Sequence, residues 1–178
     1  MAEFVVNVLE VERSGGKSYD FPVRGAWLVA ALADTDFDAA RDAEGTLHVA
    51  ARKAGADVLL EGRLTTRIVV PCARCNEALA WPVEVDFTHF LSPRAEHLPL
   101  AEELELTPED LDRDYFVGDA IELDGLVREH VLLSVPMQPM HDESDCDPQV
   151  LQRLRDAAGR KPASPLAALA ALKDKAGK

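Results

Sequence analysis

"DVLLEGRLTTRIVVPC", residues 57–72, decides the fold. Val58, Leu60, Leu64, Ile68 and Val70 share one parity, while Glu61, Arg63, Thr65 and Arg67 share the other. A period of two with one apolar row predicts a strand with one buried and one wet face. Gly62 interrupts the apolar row and marks a place for a bend or bulge. Past "CARCNEALA", residues 72–80, the stretch "WPVEVDFTHFL", residues 81–91, repeats the pattern. Trp81, Val83, Val85 and Phe87 point inward there, and Glu84, Asp86 and Thr88 point outward. Two such strands joined by about nine residues predict an antiparallel hairpin with Cys72 and Cys75 at its tip.

Working toward the N-terminus, "GTLHVAARKAG" (45–55) reads as a strand bounded by glycines. "GAWLVAALADTD" (25–36) places Trp27, Leu28, Ala31 and Leu32 at helical spacing and predicts a short helix. "FVVNVLEVER" (4–13) is β-rich and predicts a first strand ending in the turn-forming "SGGKSYD" (14–20). On the other side, Arg94 to Asp124 holds eleven acidic against two basic residues without a strong period, which predicts a hydrated, partly disordered insert. "DYFVGDAIEL" (114–123) reads as a short strand closing it. "LDGLVREHVLLSVP" (123–136) puts Leu126, Val127, His130 and Val131 on one helical stripe, with Asp124 as N-cap and Pro136 as stop. His130, like the inward-facing His89, reads as a hydrogen-bonded packing residue.

The last third is thinner. "PMQPMHDESDCDP" (136–148) is a turn-rich linker, and "QVLQRLRDAAGRK" (149–161) a frayed helix. "PASPLAALAALKDKAGK" (162–178) offers Ser164 as N-cap and Leu166, Leu169 and Leu172 as a stripe, either docking a partner or capping the chain's own sheet. Residues 149–178 carry seven basic and two acidic side chains, on a chain whose net charge is -13. An acidic body repels phosphate backbones and attracts basic partners. Length suits one main domain, with 178 residues, and no apolar run is long enough for a bilayer. Three cysteines, an odd count, and no export signal at the start predict a reducing, cytoplasmic setting in which metal or free thiols outrank disulfides.

Cys72-x-x-Cys75 on a hairpin tip aims two sulfurs at one point, as in a zinc knuckle. "HDESDC" (141–146) supplies His141 and Cys146. Either the four form a Cys₃His site closing the linker onto the hairpin, or they are soft side chains on loops that never converge. A redox dithiol fits less well, because such motifs open a helix whose dipole lowers the first thiol's pKa, and here the flanks are strands. The carboxylates of the insert lack EF-hand spacing, and no phosphate loop or hydrolase motif is present.

"CARCNEAL" (72–79), the acidic insert, "IELDGLVREHVLLSVPMQP" (121–139), "HDESDC" and a closing "PLAALAALK" (165–173) follow one another in an order that resembles the YceD-type large ribosomal RNA subunit accumulation proteins of bacteria and plastids. The resemblance runs from about Leu60 onward and is most specific at Cys72, Arg74, Cys75 and Asn76, at Asp124 to Pro136, and at Pro165 to Lys173. It implies a role in synthesis, processing or stability of large-subunit (23S) ribosomal RNA, with no catalytic activity. Many relatives carry a richer cysteine cluster where this chain has Met137, Met140, His141 and Cys146.

The expectations are therefore an α+β fold: an antiparallel, partly barrel-like sheet with a few packing helices. Residues 1–136 make the domain, with an acidic insert at 94–114, and 137–178 a flexible linker and helical tail. Cys72, Cys75, His141 and Cys146 are the metal candidates for one structural zinc. Arg63, Arg67, Arg74 and Asn76 are the binding candidates. Partners are ribosomal proteins or pre-large-subunit particles, with salt-sensitive contact to rRNA as the other route. No membrane and no small-molecule substrate enter. The competing reading is a small metal- or thiol-dependent enzyme using Cys72 and Cys75.

Overall fold

The computed structural model describes residues 2–40, 42–94 and 114–159. Most of the predicted acidic insert and the helix predicted at 164–173 lie outside the described residues. The strands are β1 (Val5–Asn7), β2 (Gly16–Arg24), β3 (Asp38–Ala39), β4 (Glu44–Ala54), β5 (Asp57–Pro71), β6 (Ala78–Pro93), β7 (Asp114–Phe116) and β8 (Ala120–Glu122). The helices are α1 (Val8–Ser14), α2 (Gly25–Leu32), α3 (Asp124–Leu133) and α4 (Pro148–Gly159), with a 3₁₀ turn at Glu143–Asp145. The fold is α+β. Its main sheet runs β2-β4-β5-β6-β7 with β3 added on β5, and β1 pairs with β8 in a second ladder. All pairings are antiparallel except β6 with β7. Among the described residues no ladder joins β2 to β7, so the sheet is open.

The β5–β6 hairpin is the spine. Its register runs unbroken from Val58↔Leu91 to Pro71↔Ala78, and the predicted parity holds along both strands. The connection is tighter than predicted, residues 72–77, because β5 continues through Pro71 and β6 begins at Ala78. Gly62 makes no bulge. It pairs in register with Phe87, and a Cβ there would sit 2.1 Å from the Phe87 ring. The glycine therefore makes room for an aromatic ring lying across the strand. Gly62→Val forces that ring out of the core, and we expect a loss of about 2–3 kcal/mol, read as an earlier midpoint in urea unfolding.

Two N-terminal expectations are corrected. "FVVNVLEVER" is a strand only to Asn7, then becomes α1. Asn7 Oδ1 accepts the Glu10 N–H at 3.1 Å, which caps the helix, and Val8 and Val11 bury their three-residue spacing in the core. Gly15, at φ 72°, ends α1 in the left-handed conformation. The supposed turn that follows is strand β2, paired with β4 from Gly16↔Arg52 to Arg24↔Glu44.

The inner face of the sheet, with Leu47, Val49, Leu60, Leu64 and Ile68 fully buried, packs with Leu28 and Leu32 of α2 and Val127 and Val131 of α3 in one core. "DYFVGDAIEL" splits into β7 and β8 around Gly118, whose φ is 75°. Asp124 is not the N-cap of α3; Leu123 holds that position with no side-chain bond. The Asp124 carboxylate instead accepts the N–H groups of Glu3 and Phe4, each at 3.1 Å, and the Trp27 indole N–H at 2.8 Å. At the far end of α2, Arg128 donates from Nε to the Ala31 carbonyl at 2.6 Å, satisfying a helix-end acceptor.

Candidate metal centre

The hairpin tip is a tight knuckle. Asn76 donates its N–H to the Cys72 carbonyl at 2.8 Å, and Cys72 donates its own to Glu77 at 2.9 Å. Closing this loop requires a left-handed residue, and Asn76 takes φ 62°, a conformation asparagine tolerates better than most residues. Residues 137–146 return onto the knuckle: Ala73 donates its N–H to the Pro139 carbonyl at 2.7 Å, and the His141 N–H reaches Cys72 Sγ at 3.5 Å. The 3₁₀ turn then brings Cys146 in. Cys72, Cys75 and Cys146 are all buried and form a small apolar cluster of their own, with Val150 and Leu151 of α4 packed on it. All three are free thiols.

One ligand atom from each of Cys72, Cys75, His141 and Cys146 lies within 4.8 Å of the other three. A tetrahedral zinc with sulfur at about 2.3 Å and nitrogen at about 2.0 Å sets its sulfur–nitrogen edge near 3.5 Å. Cys75 Sγ and His141 Nδ1 are 3.5 Å apart. The other ring nitrogen, Nε2, lies 3.3 Å from the Ala78 carbonyl, to which it donates when Nδ1 is left as the ligand. The geometry fits a closed site with three sulfurs and one nitrogen.

The electrostatics favour the thiolate at Cys72 and Cys75 and disfavour it at Cys146. Burial pushes the Cys72 thiol up, but the backbone N–H groups of Cys75, His141 and Arg74 outweigh it and hold the pKa at about 6. The Glu77 N–H lowers Cys75, and its bond with His141 raises the imidazole above its ordinary value. Cys146 goes the other way: burial and the neighbouring cysteines push it up to about 11. A metal entering at neutral pH therefore displaces a proton from Cys146, and also from His141 wherever the imidazole is protonated. Protons and metal compete, so affinity falls as pH falls, by about tenfold per pH unit for each proton displaced. Competition titrations with a zinc chelator at pH 8 and pH 6.5 check this, and equal affinities at both would contradict it.

The four binding candidates divide between two places, the outer face of β5 and the hairpin tip. Arg63 and Arg67 lie on the outer face of β5, Arg63 paired with Asp86 at 3.8 Å and Arg67 sharing a shallow concavity with Asp42, Glu44 and Glu84. Arg74 bends over the cysteine cluster, with Nη1 3.8 Å from Cys146 Sγ and Nη2 3.6 Å from Met140 Sδ. Met140 and the carbonyls of Ala78 and Pro139 escaped the sequence reading, because only the folded return of the linker gives them a role. His130 packs as predicted, its ring stacked on Phe87 at 4.6 Å between centroids and its Nε2 2.9 Å from His89 Nε2. His89 Nδ1 in turn meets Asp114 at 2.8 Å.

The family described as large ribosomal RNA subunit accumulation protein YceD matches residues 60–173. This chain belongs to the YceD family. The matched stretch contains the whole hairpin tip, His141 and Cys146. A large ribosomal RNA subunit accumulation protein YceD of Haemophilus influenzae is 33% identical over 122 residues, covering 66% of this chain and 67% of the relative. No solved structure matches the chain. Among the described residues no helix is long and apolar enough to cross a membrane.

Proposed function

We propose that this YceD-family chain is a non-catalytic cytoplasmic factor that supports the accumulation of 23S ribosomal RNA through large-subunit assembly, and that Cys72, Cys75, His141 and Cys146 hold one structural zinc. The observation that carries the reading is the convergence of four protein ligands. A zinc with four protein ligands has no open position for water or substrate, so it fastens the chain and does no chemistry. In this view residues 1–136 are the domain, with the acidic insert at 94–114, and 137–178 are a linker and tail held to it at the hairpin tip. The name shared by the family and the Haemophilus influenzae relative, large ribosomal RNA subunit accumulation protein, supports the ribosomal side.

A net charge of -13 favours a basic ribosomal protein, or a pre-large-subunit particle displaying one, over bare RNA as the main partner. In this reading Arg63 and Arg67, on the outer face of β5, add a local contact that weakens with salt. A small-molecule substrate has no part in this reading, and nothing favours a thiol enzyme built on Cys72 and Cys75. The test is affinity capture of the tagged full chain followed by gradient sedimentation. Precursor large-subunit particles and ribosomal proteins should come down with it; if neither does, the reading fails.

A further inference from the structure

The three sulfurs of the metal centre are unequally supported. Cys72 and Cys75 sit in a knuckle closed by backbone hydrogen bonds, from Asn76 to the Cys72 carbonyl at 2.8 Å and from Cys72 to the Glu77 carbonyl at 2.9 Å, and Cys72 Sγ also receives the His141 N–H at 3.5 Å. Cys146 Sγ differs. Apart from the neighbouring cysteines, its one hydrogen-bond donor among the described residues is the Arg74 guanidinium at 3.8 Å. Met140 Sδ lies 3.6 Å from the other arm of the fork, as a soft contact. Three thiolates and an imidazole around a divalent ion leave one net negative charge, and Arg74 is the cation beside it. Cys146 is also the ligand next to α4, whose first turn is capped by Asp147 Oδ1 accepting the Gln149 N–H at 2.8 Å.

We infer that Arg74 is the positioning residue that latches Cys146 onto the metal, and that Cys146 is the ligand released first. The inference rests on the zinc reading above. The hairpin cysteines sit in a preformed knuckle and keep their hold on the ion, while Cys146 and α4 with it come and go. Arg74 thereby sets how firmly the C-terminal segment is fastened. Its guanidinium acts through the thiolate and touches no substrate.

The experiment uses the full zinc-loaded chain and its Arg74→Met and Arg74→Lys variants. Zinc transfer to a colorimetric chelator is timed, and iodoacetamide labelling of each cysteine is followed by mass spectrometry. Methionine removes the charge at similar length, and we expect transfer about tenfold faster, the factor that corresponds to 1.4 kcal/mol. Labelling should appear first at Cys146 in every form and accelerate in Arg74→Met. Lysine keeps the charge and should hold the rate within about threefold of wild type, a rescue that a merely structural role would not produce. Unchanged transfer in Arg74→Met, no rescue by lysine, or first labelling at Cys72 or Cys75 would each overturn the latch. Zinc content of the wild-type chain separates the two levels: a zinc-free wild type overturns the zinc reading itself, and a zinc-loaded one with unaltered variants overturns only the latch.

Discussion

Replacing Cys72 and Cys75 by serine is expected to release residues 137–159 from the hairpin tip while leaving the sheet folded. The physical reason is that the molecule has two separate cores. The main one lies between the sheet and the helices α1, α2 and α3, with Phe4, Leu28, Leu47, Leu64 and Val127 fully buried. The second holds only the three cysteines with Val150 and Leu151 against them, and beyond Leu151 every described residue of α4 is exposed. Zinc contributes on the order of 10 kcal/mol to domains that have little other core. On the zinc reading proposed above, that contribution would act locally, on the docking of one segment. Removing it should raise the rate of limited proteolysis between 137 and 159 by more than about tenfold, because cleavage follows local opening. Chelation of the wild-type protein should do the same. Far-UV circular dichroism should keep its strand signal. Cleavage unchanged by both treatments would show that the segment is held by something other than the metal. Collapse of the whole fold would show that the two cores are not separable.

The second large effect is expected at Asp124. Its carboxylate holds three donors from two distant parts of the chain: the N–H groups of Glu3 and Phe4, and the Trp27 indole. Phe4 is fully buried and its ring meets Trp27 edge-on at 4.9 Å between centroids, so the carboxylate ties the N-terminal strand to α2 at the start of α3. Asp124→Ala leaves those donors without an acceptor in a part-buried site. At about 1–3 kcal/mol for an orphaned donor, and with water reaching some of them, we expect a loss of about 3 kcal/mol. For a domain of this size that lowers Tm by roughly 6–12 °C. Asp124→Asn keeps one acceptor oxygen and should lose about half as much. Scanning calorimetry of the three proteins reads the order directly. A Tm within about 2 °C of wild type for the alanine variant would mean that the N-terminal strand is held by its packing alone.

The hairpin was legible because burial on one face imposes a period of two, which β5 obeys throughout and β6 obeys as far as Leu91. The placing of Cys72 and Cys75 at the hairpin tip was legible because both fall in the short connection between the two alternating strands. The first helix escaped notice because Val5, Val6, Val8 and Val11 are β-branched and read as strand. The decisive signal there was the local pair Asn7 and Glu10, whose capping bond competes with extension. Asp124 was misplaced for a related reason. An aspartate before an apolar stripe has the composition of an N-cap, and only the tertiary arrangement shows that Glu3, Phe4 and Trp27 use it first. Gly62 looked like a bulge, since nothing in the sequence says that Phe87 lies across it. His141 and Cys146 were named from their chemistry alone; what sequence could not supply was the return of the linker, which Ala73 and Pro139 fix through one backbone hydrogen bond at 2.7 Å.

X-ray absorption at the zinc edge, on full-length protein purified without added metal, tests the central claim most directly. The account predicts one equivalent of zinc with about three sulfurs near 2.3 Å and one nitrogen near 2.0 Å. Well under one equivalent, or a coordination shell with an oxygen from water in the fourth position, would contradict it.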